Sequence, residues 1–166
     1  MYINQRDIAG WEKQGCGIAC VAMVLLRAGR DVQTEDLVRE ALAADGYLDG
    51  IGWKHAILTR ILTNRNIPAY TQDFTSPGDD TTLFRLGEKK VREQAAAGSP
   101  VIVSVLRGFQ PSAASTHLVL ITGVTENSFV IDDPDHTGGA EGMNIPFDTF
   151  SKAWRGYAIF TEIPRA

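Results

Sequence analysis

No apolar run in the 166 residues approaches the roughly 20 needed to cross a bilayer. The longest, Ile18 to Leu26 and Leu118 to Ile121, fall well short, so no membrane span is expected. The opening stretch, Met1-Tyr2-Ile3-Asn4-Gln5-Arg6-Asp7, has no apolar core behind a basic start and does not read as a secretory signal. An excess of positive charge is lacking too. Lys and Arg number 16 against 20 Asp and Glu, a net of −4 that offers no broad electrostatic reason to bind a polyanion, so nucleic acid is not an expected partner. Cysteine is scarce: Cys16 and Cys20 stand one helical turn apart, and a bridge between them would close almost no loop. Such a chain suits a reducing compartment, and cytoplasmic residence is the expectation. Repeats, low-complexity tracts and interdomain linkers are absent, which points to one domain over residues 1–166.

What is present is ordinary globular material, 44% hydrophobic and 22% charged. Gly15-Cys16-Gly17 punctuates the chain before Ile18 to Leu26, an alanine-containing run without proline that predicts a helix buried on most sides and ending near Gly29. A second helix is expected with Thr34 as its N-cap and Leu37, Val38, Ala41 and Leu42 on one face, stopping at Gly46. Gly50-Ile51-Gly52-Trp53 reads as a glycine-rich link. Ala56, Ile57, Ile61 and Leu62 then define a third helix, and Ile67 to Gln72 a short strand. Phe74 to Asp80 reads as a surface loop, and Leu83, Leu86, Val91 and Ala95 to Ala97 mark a fourth helix ending at Gly98.

Beyond Pro100 the composition turns β-branched. Val101 to Leu106, His117 to Thr122 and Ser128 to Asp132 read as three strands, the last two joined by a hairpin turn at Thr125-Glu126-Asn127. Asp133 to Gly142 reads as a polar loop, Pro146 to Trp154 as a short helix and Tyr157 to Ile163 as a closing strand. Helices first and an antiparallel sheet afterwards is the α+β pattern.

Cys16 is the residue whose position suggests chemistry. A thiol at the start of a buried helix lies in the positive end of the helix dipole, which favours the thiolate, and its flanking glycines would let a substrate approach the backbone. The bland reading is a small buried residue, and for Cys20, between Ala19 and Val21, that is the preferred one. A nucleophilic thiol needs a base and a group to orient that base. His117, at the start of a strand and at the sheet edge, can face the helix N-terminus. His55 reads as solvated or capping, and His136 as part of a mobile loop. Asp133 ends the strand beside that of His117 and can hold its second nitrogen, although Asp132-Asp133-Pro134 would also suit a simple turn. Oxyanion donors would be the Cys16 N–H and the side-chain amide of Gln5 or Gln14.

Gln5, Trp11 and Gly15-Cys16-Gly17-Ile18-Ala19-Cys20-Val21-Ala22-Met23-Val24-Leu25 resemble the opening of the C39-like peptidases, a papain-like cysteine protease group whose relatives remove double-glycine leader peptides. The resemblance runs on through Gly52-Trp53-Lys54-His55, Gly98 to Val105, His117 to Gly123 and Phe129-Val130-Ile131-Asp132-Asp133-Pro134. It implies a papain-like α+β fold, with the cysteine on a central helix and His and Asp on the sheet. It also implies that Cys16 is the nucleophile, His117 the general base, Asp133 its orienting residue and Gln5 the oxyanion-hole glutamine. In the leader-processing branch the glutamine stands closer to the cysteine, at the position that Gly10 fills here.

The expected function is therefore a cysteine peptidase acting on a peptide or protein through an acyl-thioester, with a Gly-Gly type site suggested by the resemblance. No cofactor or metal is called for. The same residues would serve an acyltransferase or transglutaminase-like enzyme, including a toxin, and an unreactive Cys16 would leave a peptide-binding module. A metal-dependent hydrolase on Asp132, Asp133, Asp135 and His136 is the weakest alternative, because no recognised ligand spacing is present. The loops Phe109 to Thr116 and Asp135 to Asn144 are expected to shape specificity.

Overall fold

The computed structural model describes residues 1–135 and 140–163. A 3-10 turn at Gln5–Asp7 precedes α1 (Cys16–Arg27), α2 (Thr34–Ala43), a small hairpin of β1 (Tyr47–Leu48) and β2 (Gly52–Trp53), and α3 (His55–Thr63). The chain continues through β3 (Ala69–Asp73), α4 (Thr82–Ala96), β4 (Val101–Leu106), β5 (Thr116–Val124), β6 (Ser128–Asp133), β7 (Ala140–Pro146), α5 (Phe147–Ala153) and β8 (Trp154–Thr161). Strands β3 to β8 form one antiparallel sheet in the order β3-β8-β4-β5-β6-β7.

Period-two alternation decides which helix covers which face. Ile102, Leu118, Leu120 and Ile159 join a cluster with α1, α2 and α3. Val101, Val103, Val105, Val119, Ile121, Ala158 and Phe160 face the other way, onto Val91 and Ala95 of α4 and Phe150 and Ala153 of α5. The sheet is thus covered on both sides.

α1 is the buried centre of the first cluster, with Gly17 to Leu25 all out of water. It stops where predicted. Gly29 adopts a left-handed φ of 70°, its N–H returns to Leu26 O and that of Arg30 to Leu25 O, which closes the last carbonyls in a glycine-ended cap. Arg27 in the last turn reaches Asp132 Oδ2 at 2.7 Å, and Gly142 N donates to Asp132 Oδ1 at 2.8 Å. This pair straps the C-terminal end of α1 to β6 and β7.

Several sequence expectations give way. Gly50 to Trp53 is no mere link: it contains β2, paired with β1 in a hairpin of two-residue strands too short to show any alternation. Strand β7 occupies part of the expected loop, because its pairing with β6 supplies the order that its mixed residues do not advertise. Thr34 is the first residue of α2 and Gln33 its cap. β8 begins at Trp154, ahead of the expected start. β5 lies inside the sheet, between β4 and β6, so His117 sits at the end of an interior strand and not at an edge.

The glycines around Cys16 are also explained differently. Both are buried. A Cβ at Gly15 would lie 2.9 Å from Trp11 O, and one at Gly17 would lie 2.9 Å from Leu58 Cδ1 and from Trp53 Cδ1. They serve close packing behind the cysteine, not access to it. Replacing Gly17 with Ala is expected to cost about 1–3 kcal/mol through overpacking against Trp53 and Leu58. Urea unfolding of Gly17→Ala against wild type measures this, and an unchanged midpoint would contradict it.

Candidate active site

The first residue of α1 is Cys16, so its N–H belongs to the first helical turn, whose donors lack intrahelical acceptors. Cys16 is half-buried and Cys20 fully buried. Antiparallel pairing of β5 and β6, with Leu120 opposite Asp132, brings the start of one strand beside the end of the other. His117 and Asp133 therefore meet, His117 Nε2 lying 2.6 Å from Asp133 Oδ1. That contact leaves Nδ1, which is buried, for the Cys16 thiol.

Electrostatics follow from this order. Burial opposes the charged imidazole, but hydrogen bonds to Asp133 and Cys16 outweigh it and push the His117 pKa up to about 9. Burial also opposes the Cys16 thiolate, yet the hydrogen bond and charge of His117, with the Leu118 backbone and the charge of Arg107, bring its pKa below the ordinary thiol value. A thiolate beside an imidazolium is the resting state these shifts favour. Cys20 differs: burial pushes its pKa well above the usual thiol range, and it packs in the apolar core.

Asp133 is held in place by the N-terminal segment. Tyr2 OH donates to Asp133 O at 2.6 Å and Gln5 N to Pro134 O at 2.8 Å, while Asp133 Oδ1 also accepts from Asp135 N at 2.9 Å. The Asp135 carboxylate pairs with Arg6 Nη2 at 2.8 Å and with Arg107 Nη1. Arg107, in the 3-10 turn after β4, also donates through N to Ser115 O. Asp135 thus joins the turn that carries Gln5, the end of β6 and the turn after β4.

Gln5 is fully buried, and the position of a Cβ on Gly15 would be 3.4 Å from Gln5 Cβ, so it lies against the segment entering α1. Its Nε2 donates to Glu12 O at 3.0 Å. An amide nitrogen has two hydrogens, so one donor remains. Gln14 is exposed, and its contribution here is its backbone oxygen, which accepts from Trp53 Nε1 at 2.6 Å. His136 lies outside the described residues.

The thiol opens onto a cleft. A cavity of about 60 Å³ is lined by Cys16, Gly52, Trp53, His55, Ser104 and His117 among others. Larger spaces share residues with it, about 250 Å³ bordered by Cys16, Lys13, Tyr47, Asp49 and Arg107, and about 510 Å³ bordered by His55, Asp73, Arg155 and Tyr157. His55 is half-buried at the first position of α3, and Lys54, not His55, is the cap of that helix. Burial lowers its pKa, and its ring meets Tyr157 edge-on at 6.0 Å between centroids. Sequence spacing passed over Arg107, read His55 as solvated or capping and gave Asp135 a place of its own only in a metal alternative, because their placement depends on chain returns; the preceding Gly52-Trp53 was the one local signal near His55.

A thiol on a helix N-terminus, an imidazole behind it, a carboxylate behind that and a cleft in front is an arrangement suited to nucleophilic thiol chemistry. Residues 1–158 match the Peptidase_C39 like family, and the chain belongs to that family. No curated protein matches it. Among solved structures it resembles a chain described as a C39-like peptidase from Bacillus anthracis, with a TM-score of 0.70 and 19% identity over 100% of this chain and 95% of that one. The peptidase domain of Streptococcus ComA, a bifunctional ABC transporter involved in quorum sensing, gives a TM-score of 0.68 and 18% identity over 99% and 98%. A double-glycine motif protease from an AMS/PCAT transporter, solved with its leader peptide, gives 0.61 and 18% over 90% and 84%. These likenesses establish the α+β fold of C39 papain-like domains. No helix among the described residues is long and apolar enough to cross a membrane.

The His117 shift is open to NMR. Its imidazole resonances should titrate with a midpoint near 9 in the wild type. The midpoint should move down in Asp133→Asn, because the bond that favours the charged ring is weakened. Identical titrations in the two proteins would contradict this electrostatic account.

Proposed function

We propose that the protein is a cysteine peptidase, with residues 1–166 forming one C39-like domain. The observation that carries this reading is the half-buried Cys16 thiol, its pKa lowered beside an imidazole that a carboxylate holds, opening onto a cleft. Cys16 is the nucleophile: its thiolate attacks the carbonyl carbon of a peptide or isopeptide bond. The Cys16 N–H and the free hydrogen of Gln5 Nε2 stabilise the oxyanion, a role that the burial of Gln5 beside Gly15 supports over exposed Gln14. The His117 imidazolium gives its proton to the leaving amine, which departs and leaves an acyl-thioester on Cys16. His117, now neutral, takes a proton from water; the hydroxyl attacks the thioester, and the acid product and the thiolate separate. Asp133 orients the ring and stabilises its charged form throughout.

The substrate is a peptide or protein. A Gly-Gly type cleavage site suits the narrow space over Cys16, and the leader-bound double-glycine protease with the same fold lends it support. A nucleophilic free thiol works in a reducing compartment, so cytoplasmic residence accompanies this reading.

The test is the rate of Cys16 alkylation by iodoacetamide against pH, with peptide mapping to separate Cys16 from Cys20, alongside cleavage of Gly-Gly peptides. The wild type should react readily below pH 7. In His117→Ala the profile should move up toward an ordinary thiol, about pH 8.5, and peptide turnover should fall by about 10²–10⁴. A wild-type profile near pH 8.5 that ignores the substitution overturns the reading. Amine-transfer products in place of hydrolysis would reassign the enzyme as an acyltransferase.

A further inference from the structure

The three spaces along the cleft share three lining residues, Ile51, Trp53 and Thr116. Trp53 is buried and held: its ring packs on Trp11 and Tyr47 at 4.8 and 5.0 Å, and its Nε1 donates to Gln14 O. Thr116 begins β5 and is paired with Leu106. Ile51 is of another kind. It sits at the tip of the β1–β2 hairpin, is 78% exposed, and lies between Gly50 and Gly52, whose φ values of 72° and 127° are in the region that favours glycine. At both glycines a Cβ would meet open space, so backbone conformation and not packing calls for them there. The hairpin therefore has a fixed base and a tip that glycine geometry aims.

The size of the central space makes this tip matter. About 60 Å³ is less than half of the ~150 Å³ that takes benzene in a protein interior, whereas the neighbouring space is about 510 Å³. Cys16 borders both this space and the one of about 250 Å³, while His117 borders only the small one, so the cleft takes little more than backbone where thiol and imidazole face each other and a large side chain beyond that point. Thr116 is exposed too but is held in the β4–β5 ladder, whereas Ile51 borders this narrow point from a hairpin loop.

We propose that Ile51 is a specificity-determining residue: its side chain forms the lip that narrows the cleft over Cys16 and excludes bulky residues from the bond to be cut. This rests on the peptidase reading and adds to it the residue that sets the width. Truncating Ile51 joins the narrow space to its neighbours and admits a large side chain, with no change at the thiol itself.

Two peptidyl chloromethyl ketones test it, identical except for glycine or phenylalanine at the electrophilic residue; the Cys16 thiolate forms the S–C bond as chloride leaves. Iodoacetamide is the control, being too small to need the widened cleft. In the wild type the glycyl reagent should inactivate at least tenfold faster than the phenylalanyl one. In Ile51→Ala that ratio should shrink at least fivefold, with the iodoacetamide rate within twofold of wild type. Thermal melting should be unchanged, because the side chain is solvent-exposed. A normal iodoacetamide rate with an unchanged ratio overturns the role of Ile51 alone. An unreactive wild-type Cys16 overturns the peptidase reading and the proposal together.

Discussion

Nine consecutive residues of α1, Gly17 to Leu25, have been removed from water, so this helix has no solvent face over its central turns and is held from every direction. The sheet side chains Ile102, Leu118 and Leu120 pack with it, as do residues of α2 and α3. Each large side chain so buried contributes about 1.5–3 kcal/mol relative to exposure, and moving the helix would forfeit several at once. Cys16 is the residue at which that burial ends. Its thiol is fixed in space by a core that it does not belong to, and the half-exposure that chemistry needs follows from its place at the boundary.

The other half of the site is fixed by polar contacts. Packing places β5 and β6, but the turn after Asp133 would be free to vary without Tyr2, Gln5 and the Arg6–Asp135–Arg107 cluster. The N-terminal segment thereby carries Gln5 to the front of α1 and clamps the backbone of the residue whose carboxylate holds His117. Residues far apart in the chain are thus tied together by one group of hydrogen bonds and ion pairs around Asp133-Pro134-Asp135.

Much of this was legible in the sequence. The run from Ile18 to Leu26 announced a helix because it is apolar for longer than a strand needs, and the β-branched runs 101–106, 117–122 and 128–132 announced strands. Cys16, His117 and Asp133 could be singled out because each lies at an end of such an element, and the fold brings those ends together. The rest was hidden for definable reasons. β1, β2 and β7 owe their form to pairing partners and not to alternation. His55 read as solvated or capping because nothing local says that Tyr157 will come to lie against it. The flanking glycines looked permissive, since a sequence cannot show that Trp11 O and the Trp53 ring fill the space behind them.

The aromatic group at the base of the hairpin has a consequence for how the molecule can be watched. Of three tryptophans, Trp11 and Trp53 lie in contact beside the cleft, while Trp154 is part of the other core, among Phe74, Phe84 and Phe150. Trp53 lines all three spaces and hydrogen-bonds to the residue two before the thiol. The indole emission of this protein is accordingly divided between a pair that senses the polarity and occupancy of the cleft and a single ring that does not. The molecule carries an optical gauge of its own binding site together with an internal reference, with no label attached.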